Sequence, residues 1–191
     1  GVTLTGSVRA GKAVGALAAA MVKPTVLELG GSDPFIVCQD ADLDLACKQL
    51  LLARFLNCGQ SCIAAKRLLV HASIKDAFIK KLSTALHTLV PGNPLDPSTT
   101  LGPLARKSCL DQVTSQVTRG LSCNATIIEQ RSQNQPTGYF YPPTLIELTD
   151  SNNNLWSEEI FGPVLPFMTF HSNACALKLA NHTTFGLGAS V

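Results

Sequence analysis

Two short runs carry the residues whose types and spacing could do chemistry. Asn57, Cys58, Gly59, Gln60, Ser61 and Cys62 end in a thiol, just beyond a long apolar helical pattern; Glu28, Leu29, Gly30 and Gly31 open on a carboxylate. A soft nucleophile and a candidate general base, each beside glycines that let backbone approach a ligand closely, point together to acyl chemistry on a carbonyl substrate. Neither run decides this alone. A single Cys after a helix reads equally as a small buried hydrophobe, and a Glu before two glycines as a solvated turn carboxylate.

The elements that must position these residues read as alternating helix and strand. Thr5, Gly6 and Ser7 precede small or apolar residues at Ala10, Val14, Leu17 and Met21, which predicts a capped helix over Val8 to Val22, ended by Pro24. Thr25 to Leu29 and Phe35 to Cys38 read as buried strands, with Gly30 and Gly31 between them. Asp40 and Asp42 supply capping and dipole-compatible charge for a helix over Leu43 to Leu56, whose end leads into Cys62. Arg67 to His71 reads as a strand, and Ser73 with Asp76 as a capping box opening a helix that places Ile74, Phe78, Leu82 and Ala85 on one side. Pro91 to Pro103, with four prolines and two glycines, is a loop between two halves. Beyond it come a helix marked by Leu110, Val113 and Val117, a strand at Ala125 to Ile128, and turn-rich chain at Gln133 to Pro143. Strands at Thr144 to Leu148 and Val164 to Phe170, a helix near Asn173 to Asn181 and a strand-like run at Leu187 to Val191 complete the pattern. The expected class is α/β, a mostly parallel twisted sheet in three layers with helices on both faces.

Composition bounds the function without naming it. A net charge of +2, 46% hydrophobic and 15% charged residues describe a soluble globular protein lacking the basic excess of a nucleic-acid binder. Seven cysteines without a C-x-x-C pair favour free thiols and a cytoplasmic home. Apolar stretches such as Leu50 to Ala53 fall far below the roughly 20 residues of a membrane helix, and no signal peptide is visible. Cys58, Cys62 and the four histidines have no zinc-ligand spacing, so no metal is expected. Arg54, Lys66 and Arg67 read as solvated or structural, and Phe161 taken alone as core.

Taken together, the motifs resemble the aldehyde dehydrogenase superfamily over nearly the whole chain. The family's Phe-Thr-Gly-Ser element is similar to Leu4-Thr-Gly-Ser7, its Glu-Leu-Gly-Gly to Glu28–Gly31, its Asn-x-Gly-Gln-x-Cys to Asn57–Cys62, and its Glu-Glu-Ile-Phe-Gly-Pro-Val to Glu158–Val164. Ala180, Asn181, Phe185, Gly186 and Leu187 resemble its Ala-Asn and Tyr-Gly-Leu segment. Leu4 to Gly11, Glu28 to Val37 and Ala64 to Arg67 look most like the bacterial succinate-semialdehyde dehydrogenases of the short, NAD-preferring type.

The resemblance implies a Cys62 thiolate that attacks the aldehyde carbon, a thiohemiacetal that gives hydride to a nicotinamide, and a thioester hydrolysed by water activated by Glu28. It implies cofactor contacts from Gly6, Ser7 and Gly11 to the pyrophosphate, from the Leu29 backbone to the carboxamide, from Glu159 to the nicotinamide ribose and from Phe161 to the nicotinamide. It places residues 1–28 as a remnant of the NAD-binding domain and residues 29–191 as a C-terminally truncated catalytic domain. The cofactor expected is NAD or NADP, with NAD favoured, and the parent a homo-oligomer. Two departures bear on substrate and regulation: Leu56 stands where many succinate-semialdehyde dehydrogenases carry a carboxylate-binding Arg, and Ala64 where several carry a second Cys. Cys58 is the neighbouring thiol instead, which suggests a Cys58–Cys62 redox disulfide. The alternative reading of the chain by itself is an inert, foldable module, because the family's oxyanion-binding Asn lies in an earlier segment.

Overall fold

The computed structural model describes residues 1–131 and 137–191, so part of the turn-rich stretch expected at Gln133 to Pro143 lies outside the described residues. The chain builds two sheets. The smaller pairs β1 (Val2–Thr5) with β2 (Thr25–Glu28) in parallel, joined by α1 (Val8–Ala20). Ser7 caps α1 as expected, its Oγ accepting from the Ala10 N–H at 3.2 Å. The helix stops earlier than its apolar pattern, at Ala20: Lys23 N–H bonds Ala18 O and Val22 N–H bonds Ala19 O, and Val22 takes φ 52° to close the turn. That left-handed position usually belongs to Gly and is unusual for a β-branched residue; Pro24, two residues on, cannot continue a helix.

The larger sheet runs in the order β3-β4-β7-β6-β5, from β3 (Asp33–Val37), β4 (Ala65–His71), β7 (Val164–Phe170), β6 (Thr144–Leu148) and β5 (Ala125–Gln130). All neighbours are parallel except β5 against β6. Successive side chains on a strand point to opposite faces, yet every residue of β3 and nearly every residue of β4 and β7 is buried, so both faces are covered. The cover comes from α2 (Leu43–Phe55), α3 (Lys75–Leu86), α4 (Lys107–Leu121), the short α5 (Asn154–Ser157) and α6 (Asn173–Ala180). The expected α/β class with a mostly parallel sheet holds.

Several boundaries differ for local reasons. The run at Thr25 to Leu29, expected buried, forms an exposed strand because its sheet has only one neighbour for it. Asp42 alone caps α2, its Oδ1 accepting from the Asp44 and Leu45 N–H groups at 2.9 and 3.1 Å. Ser73 opens no capping box: its hydroxyl bonds His71 Nδ1 at 2.8 Å, and His71 takes the Ser73 N–H at the head of a 3-10 turn that precedes α3. The run at Leu187 to Val191 pairs only once, Ser190 bridging Phe35 at the edge of β3. The proline-rich loop is tied by Thr100 and Leu101 N–H groups to Val90 O at 2.9 and 3.0 Å.

Candidate active site

The thiol loop begins where α2 ends. Leu56–Gly59 form a 3-10 turn, but Asn57 and Cys58 sit at φ 53° and 59°, and Gly59 follows at 71°. Two non-Gly residues in the left-handed region carry strain of about 1–3 kcal/mol each, which surrounding contacts must hold. The motif side chains supply part of that hold. Asn57 Nδ2 donates to Gln60 O at 2.9 Å, Gln60 Nε2 returns to Asn57 O at 3.1 Å, and Gln60 Oε1 accepts from the Ala105 N–H at 2.8 Å. Gly59 touches the second loop directly: a Cβ there would lie 2.5 Å from Gly162 O.

That second loop, Glu158 to Pro163, leads into β7 beside β4. It is anchored from below by Arg54, wholly buried at the end of α2, whose Nε donates to Val164 O at 2.9 Å and whose Nη2 donates to Ile160 O at 3.0 Å and to Gly162 O. Burial presses this guanidinium below its ordinary value, opposed by Cys58 and Glu159. Lys66, at the start of β4, is equally buried; its Nζ donates to Ser61 O at 2.6 Å and Cys62 O at 2.9 Å and pairs with Glu159 Oε1 at 3.3 Å. Burial lowers the Lys66 ammonium too, with Glu159 opposing and Arg54 adding to the fall. Arg67 binds Ser32 O at 2.8 Å and Ala180 O at 2.9 Å and stacks 5.2 Å from the Trp156 ring centroid. These cations are structural, and the solvated alternative is excluded by their burial. Their apolar settings were the signal in the sequence, Leu50 to Ala53 before and Phe55-Leu56 after Arg54, and Ala64-Ala65 before and Leu68-Leu69-Val70 after Lys66 and Arg67.

The glycines at 30 and 31 each admit one partner. A Cβ on Gly30 would collide with Glu159 Oε2, and one on Gly31 would sit 2.5 Å from Cys62 O. With the Gly31 N–H donating to Glu159 Oε1 at 3.1 Å, the stretch after β2 is keyed to both loops. Glu158 faces the other way, held by both Arg119 nitrogens at 2.7 and 2.9 Å and by Gln116 at 3.0 Å, which keep its carboxyl below the ordinary range.

Between these parts lies a cleft of about 630 Å³. Cys62, Glu159 and Phe161 line it from the two loops, Gly6, Ser7 and Leu29 from the small sheet, and Arg106, Cys109 and Gln112 from the start of α4, which the sequence reading missed. Six of the eight residues singled out from sequence therefore meet in one place. The other two stand apart. Gly11 is buried in α1, where a Cβ would be 2.5 Å from Leu29 Cδ2, so it makes room for the Leu29 side chain just after β2 and does not itself line the cleft. Glu28 is exposed at the end of β2, its carbonyl accepting the Gly6 N–H at 2.9 Å. Leu56 is 72% exposed and lies outside the lining, as does Ala64, which is buried. Phe161 is 37% exposed, a ring facing the cleft rather than core. Cys58 and Cys62 are both free thiols, and burial pushes Cys58 up to about 12, which opposes the thiolate that disulfide exchange requires.

The donor set fits the nicotinamide end of a dinucleotide. The first-turn N–H groups of α1 suit a diphosphate, the Glu159 carboxylate a ribose hydroxyl, and the Phe161 ring a flat heterocycle. Among the described residues, no group of three or more His, Cys, Asp or Glu is placed to hold a metal ion, and no helix is long and apolar enough to cross a membrane.

Comparison with known proteins identifies the family. The aldehyde dehydrogenase family model matches residues 1–191. The succinate-semialdehyde dehydrogenase [NADP(+)] of Mycolicibacterium paratuberculosis is 47% identical over 98% of this chain, which spans 40% of that enzyme's length. Among solved structures, Gox0499, studied for its cofactor and substrate selection, superposes with a TM-score of 0.94 at 42% identity, over 98% of this chain and 41% of that one. Betaine aldehyde dehydrogenase from Staphylococcus aureus in complex with NAD+ gives 0.94 at 33% identity, over 100% and 39%. The preference for NAD finds no support here, since the curated relatives are named for NADP(+). On the full-length family match, and on relatives this similar over almost all of its residues, the chain belongs to the aldehyde dehydrogenase family.

Proposed function

We propose that this chain is the thiol-bearing part of an NAD(P)-dependent aldehyde dehydrogenase that oxidises succinate semialdehyde to the acid. The observation that carries the reading is the convergence of Cys62, Glu159, Phe161, Gly6 and Ser7 on one cleft. Cys62 Sγ adds to the aldehyde carbon, forming a thiohemiacetal whose oxyanion is met by the Cys62 backbone N–H. A nicotinamide held in this cleft would supply the hydride acceptor that oxidation of the adduct to a thioester requires. Ser7 and the start of α1 would hold its diphosphate, and Glu159 and Phe161 would orient its reactive end. Glu28, next in the chain to the cleft-lining Leu29, is the base that activates water to release the acid. Residues 1–28 belong to the nucleotide-binding part and 29–191 to the catalytic part.

The substrate assignment rests on the named relatives, and Leu56 requires that the distal carboxylate be bound elsewhere than at the family's Arg position. For the chain taken alone we infer an inert folded module. Leu17, Met21, Val22 and Val26 stand exposed on the small sheet and its helix, and the chain spans about 40% of its relatives' length.

The test is a full-length parent assayed with succinate semialdehyde and either NADP or NAD. Cys62→Ala should lower the rate at least roughly a thousandfold, as loss of a nucleophile does. Glu28→Gln should keep a first-turnover burst of reduced cofactor and lose steady turnover. A burst lost together with turnover would remove Glu28 from the deacylation step. The isolated chain should form no reduced cofactor.

A further inference from the structure

We propose that Lys66 is a positioning residue for the thiohemiacetal step: from beneath the cleft it turns the Ser61 carbonyl inward and thereby aims the Cys62 N–H outward at the oxyanion, while tying the thiol loop to Glu159. The inference rests on the dehydrogenase reading above and adds a residue to it.

The geometry is direct. A peptide unit is planar, and none in the described chain is cis, so the Ser61 C=O and the Cys62 N–H point in opposite directions. Lys66 Nζ holds the carbonyl side of that unit at 2.6 Å and takes the next carbonyl, Cys62 O, at 2.9 Å. Two consecutive carbonyls drawn to one buried ammonium fix the orientation of the peptide that carries the donor. Among the described residues the Cys62 N–H has no protein acceptor. The ammonium's third partner, Glu159 Oε1 at 3.3 Å, is itself a cleft residue on the second loop, and the Phe161 ring centroid lies 5.8 Å away.

Packing alone does not account for the choice of Lys. Its side chain is fully buried, whereas its carboxylate partner remains 22% exposed, and a buried charge so paired is commonly replaced by an apolar chain of similar volume without loss of stability. What Met could not do is hold Ser61 O and Cys62 O. The loop needs that hold, because Asn57 and Cys58 just before it are in left-handed conformations that relax if released. An oxyanion donor must be oriented before the reaction, since reorienting it during the reaction forfeits its stabilisation.

The experiment compares full-length parent, Lys66→Met, Lys66→Gln and Cys62→Ala, with rates expressed per folded molecule. Lys66→Met should lower kcat about 100-fold, the scale of one lost oxyanion donor, with the aldehyde KM moving less than about threefold. Lys66→Gln, which keeps a donor without the charge, should recover part of that loss. Iodoacetamide alkylation of Cys62 forms no oxyanion, so in Lys66→Met its rate should stay within about threefold of the parent's. In the Lys66→Met, Glu159→Gln double variant the losses should combine to less than their product, because the two residues share one contact. An unchanged kcat in Lys66→Met, or alkylation falling in step with kcat as it would if the loop simply collapsed, would overturn the inference and leave the dehydrogenase reading intact. A parent that forms no reduced cofactor, or a Cys62→Ala variant that keeps the rate, would overturn both.

Discussion

The small sheet and the large one meet the cleft from opposite ends. The small sheet presents the carboxyl ends of β1 and β2, where Gly6, Ser7 and Leu29 follow directly. The large sheet presents the amino ends of β4 and β7, where the loops carrying Cys62, Glu159 and Phe161 arrive. In open α/β sheets ligands usually bind beyond the carboxyl ends, where the next helix offers its N-terminus. The small sheet follows that rule with α1. The large sheet cannot, since a loop entering a strand brings carbonyls with no following helix to satisfy them. Arg54 and Lys66 take those carbonyls instead, from inside the core. One half of the cleft is thus held by main-chain dipoles near solvent and the other by buried cations.

The contrast can be sharpened by substitution. Arg54→Ala should be the most damaging, because Val164 O and Ile160 O lose their side-chain donor together while Gly162 O keeps only the Val164 N–H; the stranded buried carbonyls make a loss of about 3 kcal/mol or more, read by urea unfolding. Gly59→Ala should follow, at about 1–3 kcal/mol for a side chain at φ 71° facing Gly162 O, with turnover of the parent reduced as well. Ser7→Ala removes one cap and should remove about 1 kcal/mol, with the cofactor KM rising in the parent. Leu17→Ser, on the exposed side of α1, should stay within about 0.5 kcal/mol in the chain itself. A Leu17→Ser loss as large as that of Arg54→Ala would break the comparison, showing the small sheet to be as tightly held as the large one.

The sequence showed the runs that line the cleft because their signals are local: glycines where backbones approach, a serine ahead of a helix, a thiol after one. The capping by Ser7 and Asp42 was legible for the same reason. Arg54, Lys66 and Arg67 were not placed, because long cationic side chains are ordinarily solvated and their partners here are carbonyls more than 30 residues away or just upstream in the chain. The left-handed pair at Asn57 and Cys58 was hidden as well: Asn tolerates that conformation locally, whereas Cys seldom adopts it and nothing in its residue type announces it. Gly11 misled in the opposite sense, since close packing on Leu29 and close approach to a phosphate call for the same residue type.

Gly59 and Gly162 meet backbone to backbone, with no flexible side chain between them. Such a contact acts as a gear. A displacement of the loop bearing Cys62 is passed to the loop bearing Phe161 almost undiminished, whereas a methionine or leucine in between would absorb it by changing rotamer. The thiol and the aromatic ring that faces it across the cleft therefore keep their relative spacing when the site breathes.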